Sequence, residues 1–416
     1  MSSKNEEVYS SNPNDVKNEL REDRKLAEVI KGTHAKLREQ IQSIEKGSLT
    51  NKCDQEDNIW NKHADIRMSE NLDKYANSGK SIQVCYSEAM KKLADKHWND
   101  NIENRKNEIE KSCRIEWLKK HIDKYRKGDQ HKFLQRLLKR KYFDKLEKSG
   151  ESLSKCSKID LNITSPKNES YDILDVGSCY NPLLDQFKDE DVNVTAIDLS
   201  PSTKSVLKCD FLRVPINKLD QISVTTTSEN EIDSVVCLKE NGFDVVIFCL
   251  LLEYLPSPRL RYKACLRAKR LLKTNGLLLI VTPDSSRNHA KNELQMKSWR
   301  LACANMGMLR IYIENQKHLR FLGFVKVDQK MFGNICSEEA EKIKSKMSQN
   351  RAISEEHHTS SSQHLFESEN LIFIPQDKTT KEVLSKRLQI ANSLSDITTR
   401  QIEDKNFKEF PKNLSM

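Results

Sequence analysis

No run of eighteen apolar residues occurs in the 416-residue chain, and no CxxC pair occurs among its eleven cysteines. The first absence excludes a hydrophobic stretch long enough to cross a bilayer as a helix. The second argues against a structural zinc site or a disulfide framework, so the scattered cysteines read as small apolar residues of the interior, with no metal expected. The opening "MSSKNEEVYSSNPND" lacks the basic and apolar blocks of a secretory signal. A soluble, cytoplasmic protein with no membrane insertion is expected. Hydrophobic residues, at 37%, are fewer and charged residues, at 31%, more numerous than in an ordinary globular chain, so part of the sequence should lie outside any packed core. Aromatics are scarce at 6%, which gives little support for base stacking along a nucleic-acid groove.

What is present falls into zones. Residues 1–20 are nearly empty of large apolar side chains and are expected to be disordered. From 21 to 148 the pattern is helical: Leu26, Val29, Ile30, Leu37, Ile41 and Ile44 recur at intervals of three and four, as do Tyr86, Met90, Leu93 and His97, then Ile115, Leu118, Ile122 and Tyr125. No proline interrupts these stripes. The net charge of +9 is concentrated here, with 16 Lys and Arg against 8 Asp and Glu in residues 101–150. That window is either the solvated face of charged helices or a basic face for RNA phosphates or an acidic partner.

Residues 149–170, rich in Ser, Lys and Asn, read as a linker. After it, "YDILDVG", "VNVTAIDLS", "FDVVIFCLLL" and "GLLLIVTP" are strand-like, and "SPRLRYKACLRAKRLLKTNG" is an amphipathic helix with proline at its start and glycine at its stop. Strands alternating with helices predict an α/β domain over 171–340, with a mostly parallel sheet covered on both faces. The tail, 341–416, is polar and expected to be mostly disordered. It carries one apolar island, "LIFIPQD", read as a late strand at 371–375, and His357, His358 and His364, read as solvated loop residues.

The first strand-to-turn junction, "ILDVGSCYNPLL" at Ile173 to Leu184, carries the functional signal. In open α/β sheets the ligand lies at the carboxyl ends of the strands where their order reverses. Gly177 allows a sharp turn and close approach of the backbone, and Asn181 with Pro182 reads as the start of a following helix, favourable to a carboxylate or phosphate. A dinucleotide needs further glycines, and their positions hold Cys179 and Asn181. S-adenosylmethionine fits better, with one carboxylate, one ammonium, a ribose and an adenine. Asp175 suits the ammonium. Asp198, 21 residues after Gly177, suits the ribose hydroxyls. In "KCDFL", Asp210 suits the adenine amino group, with the backbone of Phe211 near a ring nitrogen and its ring packing alongside.

These stretches, with "FCLLLEYLPSP", "NGLLLIVTPDSS" followed by "MKSWR", "AMKKLADKHW", "RIEW" and "IPQD", closely resemble the SAMTOR family, S-adenosylmethionine sensors also catalogued as probable base methyltransferases. The resemblance spans most of residues 55–377 and leaves out the extreme N-terminus, the 212–240 insert and the chain beyond 377. It implies a class I, Rossmann-like methyltransferase domain with an N-terminal α-helical domain. It also implies S-adenosylmethionine contacts at Gly177, Asp198, Asp210 and Phe211, with S-adenosylhomocysteine as the competing product. Arg114 of "RIEW" matches a family arginine expected to reach the methionyl carboxylate from the helical module, bridging the two domains. Cys249 replaces the family's usual serine at its strand end.

Two functions follow from the resemblance. In the first, binding is the output: GATOR- and KICSTOR-type complexes are released when the metabolite is bound, and TOR signalling is inhibited when it is low. The second follows fungal relatives that methylate a ribosomal RNA adenine, with RNA as partner and a nucleolar location. "CLLLEYLP" lacks the Asn/Asp-Pro-Pro-aromatic pattern of amine methyltransferases, and Glu253, its only carboxylate, reads equally well as a solvated helix-start residue. No catalytic residue is assigned, and the sensor is the expected function.

Overall fold

A computed structural model describes residues 13–44, 52–65, 82–95, 114–149, 170–188, 190–225, 232–284, 289–316, 319–328, 335–352, 371–374 and 377. They separate into two compact units, one within Met1–Ile109 and one within Glu110–Thr380.

The first unit contains α1 (Pro13–Ile44), α2 (Lys52–Asp65) and α3 (Ile82–Leu93). Residues 13–20, expected to be disordered, are part of α1, which opens on a proline, a residue tolerated there because first-turn N–H groups have no helical acceptor. Of the α1 stripe, Ile30, Leu37 and Ile41 are buried, and Leu26, Val29 and Ile44 are half-buried. On α3, Leu93 is buried and Tyr86 and Met90 are half-buried, while His97 lies outside the described residues. Polar groups share this core: His34 Nε2 lies 3.1 Å from the Tyr86 hydroxyl, and burial, reinforced by Arg38, lowers the imidazole's pKa to about 3.

The second unit begins earlier than the sequence suggests. Helices α4 (Arg114–Arg126) and α5 (Asp129–Ser149) were expected to close the helical domain at 148, but both fall with the sheet. The reason is burial. Ile115, Trp117, Leu118, Ile122 and Tyr125 of α4 form one core with Ile173, Val245, Ile247, Leu279 and Phe321, and Leu134 of α5 packs with Leu309, Val325 and Val327. The linker expected at 149–170 lies almost wholly outside the described residues.

The sheet is built from β1 (Tyr171–Val176), β2 (Val192–Asp198), β3 (Leu207–Lys208), β4 (Ile216–Asn217), β5 (Ser223–Thr225), β6 (Ser234–Lys239), β7 (Phe243–Cys249), β8 (Leu272–Pro283), β9 (Met308–Gln316) and β10 (Leu319–Lys326). Its order is β4-β6-β3-β2-β1-β7-β8-β10-β9, with β5 paired to β6. The path is parallel from β4 to β8, and β10 and β9 close one edge antiparallel. All four expected strands are present, and β7 is buried almost throughout, which is why Val245–Cys249 reads as a continuous apolar run. The 212–240 insert supplies β4, β5 and β6, extending the sheet beyond β3.

The described residues of the unit also form α6 (Pro258–Leu271), α7 (His289–Asn305) and α8 (Ile335–Ala352). Ser257 caps α6 by accepting from Leu260 N, with proline in the first turn as expected. The expected glycine stop is displaced: α6 passes directly into β8 at Leu272, and Gly276 lies inside that strand. Residues 341–352, expected in a disordered tail, belong to α8. The late strand expected at 371–375 is not formed over 371–374, where the buried backbone is irregular and its carbonyls accept side-chain donors from α6 and α7 instead. The three tail histidines lie outside the described residues. No described helix is long and apolar enough to cross a membrane.

Candidate functional site

Strand β1 has β2 on one side and β7 on the other, so chain order reverses beside it. The loops leaving these three strands converge at their carboxyl ends, the position where a doubly wound sheet opens a crevice. Gly177 follows β1 with φ +75°, and its N–H donates to Ile197 O at 2.8 Å. A Cβ there would lie 2.9 Å from Leu251 Cδ1, so the post-β7 loop covers the glycine. Gly177→Ala is expected to destabilise the protein by roughly 1–2 kcal/mol, the cost of a left-handed alanine. If that backbone cost dominates, adding Leu251→Ala will not restore the melting temperature. Full recovery would show that the collision with Leu251 costs more than the backbone conformation.

The turn continues in an unusual way. Cys179 and Asn181 also have positive φ, +59° and +57°, and the expected helix is only the 3-10 turn Leu184–Gln186, preceded by Leu183 with no side-chain cap. Asn181 therefore caps no helix. Its amide donates to Ser205 O at 3.2 Å, tying the turn to the segment after β2. No helix N-terminus faces the crevice from this loop, and the N–H groups of Gly177, Ser178, Cys179 and Tyr180 are used internally.

Asp198 is the main internal acceptor. One carboxylate oxygen accepts from Cys179 N at 3.0 Å and the other from Ser200 N at 2.8 Å, so it joins the loops after β1 and β2. Burial raises its pKa, and the two N–H donors oppose the shift. Asp175, 2% exposed, accepts from Ser178 Oγ at 2.7 Å, and burial pushes its pKa up to about 6.

Arg114 enters from the first residue of α4. Its Nη2 donates to the Tyr180 hydroxyl at 3.0 Å, and its charge acts on Asp175 and on Cys249 at the end of β7. Burial nevertheless pushes both the Cys249 thiol and the Tyr180 phenol up to about 12. Arg114 was expected to reach across from a separate helical module. It instead belongs to the unit that holds the other candidates, because α4 is buried on the sheet.

Asp210 and Phe211 follow Cys209, whose N–H donates to Asp198 O at 2.7 Å. Asp210 accepts from Leu212 N at 3.0 Å and pairs with Arg213 at 2.6 Å. Phe211 is 7% exposed, and its ring meets Phe248 of β7 edge-on at 5.7 Å. The structure thus brings together Gly177, Cys179 and Asp198 in one group and Arg114, Asp175, Tyr180 and Cys249 in another.

Sequence reasoning assigned no role to Tyr180 or Tyr254. Tyr180 is the aromatic of the "GSCYNP" turn, and its orientation depends on two flanking left-handed residues. Burial raises the Tyr254 pKa strongly, and the charges of Asp198 and Asp210 add to the rise. Glu253 is not the solvated residue expected. It is 7% exposed and accepts from Thr282 Oγ1. Part of the basic window also serves the fold: Lys119 donates to Gln186 O at 2.9 Å, and Lys119 and Arg126 both pair with Glu190.

A methyltransferase-domain family model matches residues 123–320, a span that begins within α4. With the doubly wound sheet, this makes the second unit a class I, Rossmann-like methyltransferase domain, with the α-helical unit N-terminal to it. Solved structures that match part of the chain include a SAM-dependent methyltransferase from Methanosarcina mazei, at 14% identity and a TM-score of 0.27 over 38% of this chain and 94% of that one. The aminoglycoside resistance methyltransferase NpmB1 is another, at 19% identity and 0.26 over 38% and 89%. The "S-adenosylmethionine sensor upstream of mTORC1" of Xenopus laevis is 32% identical over 327 residues, 76% of this chain and 73% of that protein. The Danio rerio protein of the same name is 31% identical over 342 residues, 78% and 76% of the two chains. Identity at this level over three quarters of both sequences means that the chain belongs to the SAMTOR family, the S-adenosylmethionine sensors upstream of mTORC1.

Proposed function

We propose that the chain binds S-adenosylmethionine beside Gly177 and that occupancy, rather than methyl transfer, is its output. The observation that carries this reading is the Asp198 carboxylate at the reversal point of the sheet. Each of its oxygens takes one backbone donor and retains a lone pair for a ribose hydroxyl. In this arrangement Arg114 meets the methionyl carboxylate and Asp175 the ammonium, with Tyr180 and Cys249 between them. Asp210 and the backbone of Phe211 receive the adenine.

The post-β7 loop supports binding over catalysis. Its one carboxylate, Glu253, is buried, and one of its oxygens accepts from Thr282 Oγ1, which a part in the fold accounts for. In this reading S-adenosylhomocysteine competes for the crevice, and GATOR- and KICSTOR-type complexes in the cytoplasm receive the signal. The metabolite releases them, and its scarcity inhibits TOR signalling.

Arg114 offers a direct test. A cation in the first turn of a helix opposes the helix dipole, so helix stability does not explain its position. Arg114→Ala is expected to weaken S-adenosylmethionine binding about tenfold by calorimetry, the loss of one charge-assisted hydrogen bond, with little change in melting temperature. Unchanged affinity removes Arg114 from the site. Incubation with labelled S-adenosylmethionine and ribosomal RNA tests the output. Methyl transfer that Asp198→Ala abolishes would make the protein an RNA adenine methyltransferase instead.

A further inference from the structure

Arg261, on α6, is completely buried, and each of its nitrogens is used. Nε donates to Leu252 O at 2.9 Å and Leu255 O at 3.0 Å, both in the loop that follows β7. Nη1 donates to Ile372 O at 3.1 Å, and Nη1 and Nη2 together grip the two oxygens of Asp377 at 2.6 and 2.8 Å. One guanidinium therefore ties the post-β7 loop to a segment more than a hundred residues further along the chain.

That segment is a strap across two helices. Ser298 Oγ donates to Leu371 O at 2.6 Å and Trp299 Nε1 to Phe373 O at 2.8 Å, both from α7, while Ile374 N returns a hydrogen bond to Asp377 at 2.9 Å. Leu371, Ile372 and Ile374 are each at most 1% exposed. None of the strap's side-chain partners is a proposed ligand contact. The loop on the other side of Arg261 is different, since it carries Leu251 over Gly177 and holds it there with a hydrogen bond from Tyr254 N to Leu251 O at 3.0 Å.

We propose that Arg261 and Asp377 are positioning residues for the ligand site, acting through the post-β7 loop, and that strap docking and S-adenosylmethionine occupancy stabilise each other. A buried guanidinium needs a fully paired environment, so losing the Asp377 charge frees the strap and loosens the carbonyl grip on Leu252 and Leu255. The coupling is reciprocal: whatever the docked strap adds to ligand affinity, bound ligand adds to strap docking. The proposal rests on the reading of the crevice as an S-adenosylmethionine site, but its first arm does not need the ligand.

The experiment compares the full-length protein with Asp377→Asn and Asp377→Glu by amide hydrogen exchange and calorimetry. Without ligand, Asp377→Asn is expected to speed exchange in residues 250–257 and leave β1 and β2 unchanged, and Asp377→Glu to restore slower exchange in that loop. With S-adenosylmethionine, Asp377→Asn should raise Kd roughly three- to thirty-fold, and in the wild type the ligand should slow exchange of the 371–374 amides. Unchanged loop exchange in Asp377→Asn overturns the proposal. If that variant does not fold, strap exchange in the wild type decides, and no ligand protection at 371–374 overturns it. Wild-type protein that ignores S-adenosylmethionine overturns the reading of the crevice instead, and loop exchange in Asp377→Asn without ligand still decides the strap.

Discussion

Replacing Asp198 by alanine is expected to weaken S-adenosylmethionine binding by roughly two orders of magnitude. Two hydrogen bonds from ribose hydroxyls to a carboxylate are worth about 1.5–3 kcal/mol each, and about 1.4 kcal/mol is tenfold. A second loss adds to the first, because Cys179 N and Ser200 N lose their acceptor and the loops after β1 and β2 are no longer joined. Stability should fall less than affinity does. Burial raises the carboxylate's pKa, so the fold holds this charge at a cost that alanine removes. Asp198→Asn keeps one acceptor oxygen and should give an intermediate Kd. Calorimetry with S-adenosylmethionine measures both variants, and wild-type affinity in Asp198→Ala would remove the ribose assignment.

Trp117→Ala is expected to have the largest effect on stability. The indole is fully buried, stacks on His121 at 3.8 Å, meets Phe321 at 4.7 Å and donates from Nε1 to Glu314 at 2.8 Å. Truncating such a residue costs about 3–5 kcal/mol, a large part of the ordinary 5–15 kcal/mol. The melting temperature should drop by roughly 10 °C. Ligand binding should weaken in parallel, since Trp117 lies one helical turn from Arg114 and fixes the seat of α4. Trp117→Phe keeps most of the packing and loses the indole donor, and because Glu314 is partly open to water the cost should be near 1 kcal/mol. A wild-type melting curve for Trp117→Ala would show that α4 is not held by this contact.

The central parallel strands β1, β2, β7 and β8 were legible because strands buried within a sheet write themselves as apolar runs, as at Val245–Cys249. The antiparallel pair β9 and β10 was not. "MLRIYIENQ" mixes charged and apolar residues along a partly exposed edge, and "LRFLGFVK" is interrupted by a glycine over which Tyr312 lies. The α4 stripe at Ile115, Leu118, Ile122 and Tyr125 is buried, but periodicity shows only that a face is covered and not by what, so the stripe alone does not name the sheet as its neighbour. Among the candidate residues, Gly177 and Asp198 announced themselves by spacing and Asp210 by its place in "KCDFL". Tyr180 and Tyr254 did not, because their approach depends on left-handed residues at Cys179, Asn181 and Leu250, a conformation that residue type does not signal. The resemblance to the SAMTOR family supplied Arg114 and Cys249, which residue pattern alone would have left among ordinary surface and core positions.

The seating of α4 has a practical consequence for handling the protein in pieces. A fragment cut in the Ser- and Lys-rich stretch before Tyr171 would look like a complete nucleotide-binding fold on paper, yet it would leave Ile173, Val245, Ile247, Leu279 and Phe321 facing water on one side. Such a fragment should clump on expression, whereas one that starts ahead of Glu110 keeps its cover and should remain dispersed.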